Sequence, residues 1–430
     1  MKRLLLVLFW SVITAAFIGP GTVTTCASAG ASHGLALLWA LLFSIVACLT
    51  LQEASARITV VSGHDLGQAI RSRFVGRATG AFTLLLVLGA IVLGCAAYEA
   101  GNIIGAVAGA SLGLEVPRSF LTLLTSGAAG ALLWFAAIRT VARFLGVIVG
   151  IMGAVFLVTA ALLAPEPQQI LRGLLVPVLP RGSGLLVLGL IGTTVVPYNL
   201  FLGSGLARGQ SLPELRFGIS IAVILGGAIS MGVMAVGTAV EGPLSFESLA
   251  GALAAHLGEW AVGLFALGLL AAGFSSAMTA PLAAAVTARS LFSRDGASWQ
   301  ERSWRYRIIW LTVLLVGTIF GLSGVQPIPA ILLAQALNGV LLPFISVFLM
   351  ILVNDRTLMG DGGINGRWAN VLMGITVTVT VVLGTSGVMR ACASAMGISA
   401  PGERTLITAS SLVALFVGAW IVRLVFRARS

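Results

Sequence analysis

Gly19-Pro20-Gly21-Thr22 and Val196-Pro197-Tyr198-Asn199 interrupt two apolar segments that are each long enough to cross a membrane. Proline removes a backbone hydrogen-bond donor and collides with the preceding turn, and glycine weakens a helix, so both segments should unwind at these points. Unpaired backbone groups are tolerated at membrane depth only where they are buried in protein or line a cavity. Two interrupted helices in corresponding places of two halves therefore predict the substrate site of a membrane transporter.

The composition is that of a helical membrane protein. Of the 430 residues, 58% are hydrophobic and 9% are charged, whereas soluble domains carry about 25% charged residues. The apolar runs are continuous and do not alternate, which excludes an outer-membrane barrel. The net charge of +11 comes from basic residues between the apolar segments, a distribution that predicts a lipid bilayer partner and no nucleic acid. The sequence has no nucleotide-binding loop or hydrolase motif, so we expect neither an enzyme nor a cofactor.

A window of about 20 apolar residues predicts an all-α polytopic protein with twelve spans. In chain order, spans 1 to 12 are 4–31, 36–60, 80–112, 119–139, 143–164, 184–207, 216–239, 260–290, 307–322, 328–353, 368–389 and 405–426. With the N-terminus in the cytoplasm, 20 of the 25 Lys and Arg residues lie on the inner side. This asymmetry predicts that both termini are cytoplasmic, and the lack of disulfide pairing favours a bacterial cytoplasmic membrane.

The two interrupted segments are spans 1 and 6. Their spacing predicts two units of five spans, 1–164 and 184–353, followed by two appended spans in 368–426, all within one membrane domain. Because each unit has an odd number of spans, the two units insert with opposite orientations, which is the plan of an inverted repeat.

Polar side chains at membrane depth are candidates for contact with a substrate or a coupling ion. Glu99 and Asn102 share a face of span 3, and Gln335 and Asn338 share a face of span 10. For Glu99, a functional role and a structural pairing are both open. For the two amides of span 10, bonding between helices and lining of a cavity are equally open.

Two further polar pairs have a structural interpretation. Glu53 and Arg57 stand at positions i and i+4 of span 2, which predicts an ion pair. Ser275 and Ser276 lie in span 8, where hydroxyl groups commonly bond to the preceding turn.

The motifs resemble the natural resistance-associated macrophage protein (NRAMP) family of proton-coupled divalent-metal transporters. Where that family has Asp-Pro-Gly-Asn in span 1, this chain has Gly19-Pro20-Gly21-Thr22. Where the family has Met-Pro-His-Asn in span 6, this chain has Val196-Pro197-Tyr198-Asn199. Further similarity covers Leu51 to Leu66, Gly273-Phe274-Ser275-Ser276, and Gln335 with Leu342-Pro343-Phe344. The resemblance implies a 5+5 inverted repeat of the leucine-transporter type, in which helices 1 and 6 are broken.

The departures from the family fall on its metal ligands. The positions of the family's ligand Asp, Asn and Met and of the neighbouring His carry, in that order, Gly19, Thr22, Val196 and Tyr198. The resemblance also assigns two metal-binding backbone carbonyls to Ala16 and Thr193, and two positions of a proton route to Glu99 and Asn102. Only Glu99 keeps a carboxylate.

A site without these ligands favours a small anion. A dehydrated divalent cation needs anionic ligands or several oxygens, and one charge at the bilayer centre already costs on the order of 3 kcal/mol. Each break, by contrast, divides its span into two half-helices, and the N-terminus of a helix binds anions. We therefore expect a secondary transporter of bicarbonate or a short carboxylate. A small neutral solute suits the site nearly as well, and the alternatives are a divalent cation, with hydrated Mg²⁺ ahead of Mn²⁺, and a non-transporting sensor or scaffold.

We expect no resident metal and a substrate site formed by the two breaks and span 10. Its predicted members are Ala16, Gly19, Pro20, Gly21, Thr22, Thr193, Val196, Pro197, Tyr198, Asn199, Gln335 and Asn338. Glu99 and Asn102 are the candidates for handling a coupling ion, H⁺ or Na⁺.

Overall fold

The computed structural model describes residues 18–74, 80–135, 138–293, 299–396 and 401–429. Within these ranges every regular element is a helix, and ten helices are long and apolar enough to cross a membrane. They correspond to spans 2, 3 and 5 to 12. A further helix corresponds to span 4 and another to the second part of span 1, whose residues 4–17 lie outside the described ranges. The helices confirm the predicted all-α membrane fold.

The span numbers are kept for the helices. Spans 1 to 5 are Pro20–His33, Leu38–Ser62, Gly80–Ser111, Arg118–Phe135 and Ile138–Leu162; span 6 comprises Gly184–Thr194 and Pro197–Leu206; spans 7 to 12 are Leu212–Gly237, Trp260–Phe292, Trp304–Leu322, Pro327–Leu352, Arg367–Ala395 and Glu403–Arg429. Four shorter helices, Leu66–Phe74, Pro167–Leu175, Phe246–Leu257 and Arg356–Gly363, lie between spans. The boundaries of the two five-span units stay a prediction.

Both half-helices that follow the breaks begin with a proline. Pro20 and Pro197 occupy the first turn of their helices, and the preceding Gly19 and Val196 have extended backbones, with φ/ψ of −106°/177° and −83°/118°. Proline is favoured at this position because its missing N–H would have no helical partner there. The prolines that interrupt the two apolar segments therefore also begin the helices that follow.

Span 3 packs closely against the span 1 break on one side and span 8 on another. A Cβ atom added at Gly105 would overlap the ring of Pro20, and one added at Gly273 would lie 2.6 Å from the carbonyl oxygen of Asn102. Small residues let helix backbones approach closely in membranes. These two glycines thus hold the middle of span 3 beside the break.

An ionic cluster ties together the ends of spans 2 and 7 on the predicted inner side. The predicted Glu53–Arg57 ion pair is confirmed at 3.1 Å, and Arg216 approaches the same carboxylate to 2.7 Å. The Arg57 guanidinium also donates hydrogen bonds to the carbonyl of Gly363 and the side chain of Asn365. Span 2 is thereby anchored to the segment that precedes span 11.

Candidate functional site

A small cavity lies where the break of span 6 faces the start of the span 1 half-helix. It is lined by Gly19, Gly21, Thr22, Tyr98, Asn102, Thr193, Tyr198 and Ser276. The space open to the centre of a water molecule measures about 10 Å³, which is roughly what a single water needs. Both breaks therefore contribute to one cavity, and this cavity must widen to hold a hydrated ion.

One hydrogen bond joins the two breaks directly. The hydroxyl groups of Thr22 and Thr193 lie 3.0 Å apart, and both side chains are 2% exposed. Thr22 belongs to the first turn of the span 1 half-helix, and Thr193 to the last turn of the first half of span 6. Widening of the cavity along this line requires the two hydroxyl groups to separate.

The contribution of this bond is measurable in a double-mutant cycle. We expect Thr22→Val and Thr193→Val to show a coupling free energy of about 0.6–1.5 kcal/mol in unfolding titrations of the detergent-solubilised protein. Thr24→Val is the matched control, because the described structure gives the buried Thr24 hydroxyl no hydrogen-bond partner. A Thr22–Thr193 coupling no larger than the Thr24–Thr193 coupling would contradict the prediction.

Proline removes the helical hydrogen bond to the backbone carbonyl of Thr193, a residue that lines the cavity. In an unbroken helix, the N–H of residue 197 would bond to the carbonyl of Thr193, but Pro197 has no N–H. The neighbouring groups are paired locally: the N–H of Val195 donates to Ile191 at 2.8 Å, and the N–H of Asn199 donates to Val196 at 3.0 Å. The Thr193 carbonyl thus receives no helical hydrogen bond. Its predicted counterpart at Ala16 lies outside the described residues.

Two lining residues, Tyr98 and Ser276, were not predicted from the sequence. The Tyr98 hydroxyl donates to the carbonyl of Gly192 at 2.7 Å, and its ring meets that of Tyr198 edge-on with the centroids 5.5 Å apart. Ser275 bonds to the preceding turn as predicted, donating to the carbonyl of Ala272 at 3.1 Å. Ser276 lines the cavity, and its hydroxyl oxygen lies 3.4 Å from where a Cβ on Gly19 would stand. The similarity around Gly273 to Ser276 was the available signal.

The carboxyl group of Glu99 lies behind the cavity wall. Glu99 is fully buried, and it is absent from the cavity lining. The Asn102 amide, which does line the cavity, approaches Glu99 Oε2 to 3.5 Å. Glu99 Oε1 has no hydrogen-bond partner among the described residues. Asn102 therefore stands between the cavity and an incompletely paired carboxyl group.

The span 10 amides are placed for packing rather than on this cavity. The Asn338 amide donates to the carbonyls of Gly94 at 3.3 Å and Ala334 at 3.1 Å. The Gln335 amide lies against Gly21, so closely that a Cβ there would overlap it. Asn338 thus bonds between helices, one of the two interpretations left open. The contact of either amide with a substrate stays a prediction.

The remaining predicted members shape the breaks without lining the cavity. They are buried beside it and are Pro20, Val196, Pro197 and Asn199. No three His, Cys, Asp or Glu side chains cluster anywhere in the described ranges. The residues that line the cavity instead carry neutral hydroxyl, phenol and amide oxygens, which are hard ligands suited to hard cations.

Comparison of the sequence with known proteins finds one family and several relatives. The family described as "Natural resistance-associated macrophage protein-like" matches residues 11–390. The divalent metal cation transporter MntH of Verminephrobacter eiseniae is 29% identical over 273 residues, 59% of this chain and 61% of that protein. MntH of Pectobacterium carotovorum subsp. carotovorum is 25% identical over 383 residues, 85% of this chain and 90% of that protein. The matched stretch thus spans less than two thirds of the first relative and most of the second.

Solved structures share the fold. The Eremococcus coleocola manganese transporter, in complex with an aromatic bis-isothiourea substituted compound, superposes with a TM-score of 0.72 at 22% identity, covering 98% of this chain and 94% of that one. Mhp1, a nucleobase-cation-symport-1 family transporter, superposes with a TM-score of 0.58 at 14% identity, covering 99% and 95%. These likenesses confirm the predicted leucine-transporter-type inverted-repeat fold.

Proposed function

Because the chain belongs to the natural resistance-associated macrophage protein-like family, we propose that it is a secondary transporter that moves a divalent metal cation by alternating access. The observation that carries the proposal is that the two breaks contribute to one buried cavity and are joined by the Thr22–Thr193 bond. Sites at the interface of two inverted units are typical of secondary transporters. The substrate class is supported by relatives named divalent metal cation transporters.

The small anion expected from the sequence is not supported by the comparisons, which favour the divalent-cation alternative. The expectation rested on the missing carboxylate, thioether and imidazole at Gly19, Val196 and Tyr198. It gave too little weight to neutral oxygens. The freed Thr193 carbonyl and the Ser276 hydroxyl suit an ion that keeps much of its water shell, as Mg²⁺ usually does.

In this proposal, Glu99 is the residue that exchanges a proton while the cation is transported. Asn102 lines the cavity and its amide also lies next to the Glu99 carboxyl group, so it connects the two when the cavity widens around a cation. A proton that Glu99 releases as the cation enters, and takes up again after the cation leaves, would balance part of the cation's charge at membrane depth, where an uncompensated charge is costly. Cytoplasmic termini in a bacterial inner membrane complete the proposal.

Flux into proteoliposomes tests this function. We expect saturable uptake of Mn²⁺ that Mg²⁺ inhibits, and no uptake of bicarbonate or acetate above protein-free liposomes. Uptake of either anion without metal flux would overturn the cation proposal in favour of the small anion. No flux of any of the four solutes would favour a non-transporting sensor or scaffold.

A further inference from the structure

A second, larger cavity lies between spans 2, 7 and 11. It is an open crevice of about 330 Å³. Leu49 and Ala54 of span 2, Ile219 of span 7, and Leu372 and Met373 of span 11 supply its apolar walls. None of these residues belongs to the two breaks, so the crevice is distinct from the proposed transport site.

The crevice is charged at one end and mainly apolar at the other, where Thr50 and Ser220 are the polar lining residues, and the order of residues along all three helices gives the same direction. Along span 2, Glu53 and Arg57 precede the helix end at Ser62, whereas Leu49 lies deeper. Span 7 places Arg216 in its first turns and Ile219 further from the start of the helix.

Span 11 places Ala369 in its first turn, followed by Leu372 and Met373. An amphipathic crevice aligned with the helix axes matches a phospholipid that stands in one leaflet.

The charges at the polar end favour an anionic headgroup. Arg57 and Arg216 share a single carboxylate, Glu53, which leaves an excess of one positive charge. Arg57 is engaged with the protein, since its side chain is 8% exposed and also bonds to Gly363 and Asn365. Arg216 is 56% exposed and contacts Glu53 through Nε and Nη2. Its Nη1 makes no hydrogen bond within the described residues and can bind a phosphate oxygen.

We propose that this crevice binds an anionic phospholipid of the inner leaflet, with the phosphate on Arg216 and an acyl chain between spans 2, 7 and 11. Basic residues at a membrane surface contribute about 1 kcal/mol each to the binding of anionic lipid. The acyl chain would bury its apolar surface against the apolar walls of the crevice.

Lipid binding to the purified full-length protein tests the proposal without reference to transport. Native mass spectrometry would count bound phosphatidylglycerol and phosphatidylcholine with matched acyl chains, and thermal unfolding would follow their stabilising effect. We expect phosphatidylglycerol to bind more tightly than phosphatidylcholine. Arg216→Gln should weaken phosphatidylglycerol binding about fivefold. Ala369→Phe should reduce the binding of both lipids by filling the mouth of the crevice.

Arg305→Gln is the matched control, because Arg305 is an exposed residue in the first turn of span 9, a helix that does not line the crevice. This variant should bind both lipids as the unaltered protein does. Equal binding of the two lipids, or unchanged phosphatidylglycerol binding by Arg216→Gln, would overturn the proposal. Inorganic phosphate that stabilises the protein as strongly as phosphatidylglycerol would also overturn it, since the site would then take a soluble anion.

Discussion

Gly19→Asp is expected to tighten Mn²⁺ binding by at least about tenfold, because it places a carboxylate at the cavity where the lining of this protein is neutral. The backbone of Gly19 is extended, so any residue can adopt it. A Cβ there would stand 3.4 Å from the Ser276 hydroxyl, which is an ordinary contact. Asp is also a favoured residue directly before a helix. Isothermal titration calorimetry of the purified variant measures the change.

Gly19→Asn separates charge from shape in this experiment. The Asn side chain has almost the same size and helix-capping ability as that of Asp but carries no charge, so we expect a much smaller gain in Mn²⁺ affinity for this variant. Equal gains in both variants would show that the effect is steric. No change in either would place the binding site away from the span 1 break and remove the basis of the proposed function.

Gly192→Ala is expected to abolish transport and to lower the free energy of unfolding by about 1–3 kcal/mol, the usual cost of overfilling a packed interior. An added Cβ would overlap the carbonyl oxygen of Gln335 and lie 2.6 Å from the backbone nitrogen of Gly339. Backbone atoms cannot rotate away as a side chain can. The first half of span 6 would therefore shift, together with the Gly192 carbonyl that accepts the Tyr98 hydrogen bond.

Gly205→Ala provides the comparison within the same span. Gly205 is an exposed residue of the second half of span 6, and a Cβ there would meet nothing within 4 Å. Alanine is the better helix former by about 1 kcal/mol, so we expect unchanged transport and equal or slightly higher stability. Proteoliposome uptake and unfolding titrations measure both variants. Retained transport in Gly192→Ala would show that the close contact with span 10 is dispensable.

The sequence predicts the parts of this fold that depend on local chemistry. Hydropathy locates the spans because a helix must be apolar to cross a membrane. Pro197 locates the span 6 break because the missing N–H and the fixed φ act on the adjacent turn alone. The Glu53–Arg57 pair is predicted for the same reason, since residues four apart on a helix always face each other.

Contacts between distant parts of the chain could not be derived in this way. The Tyr98 hydroxyl meets a carbonyl 94 positions further along, and Ser276 faces Gly19 across the cavity. A tyrosine or a serine in an apolar span can line a cavity or simply pack between helices, and the sequence does not show which of the two it does. The comparisons favour a divalent cation over the small anion expected from the sequence. That expectation was based on the charges of side chains and gave too little weight to neutral oxygens such as the Thr193 carbonyl, although the family resemblance had already pointed to this carbonyl.

The proline at the start of the second half of span 6 has an evolutionary consequence. Pro197 fixes its own backbone angle, and the extended conformation of Val196 is accessible to almost every amino acid. The path of the backbone at the break is therefore nearly independent of which side chains flank the proline. Substitutions on either side of the proline can therefore change the chemistry presented at the break while the scaffold persists.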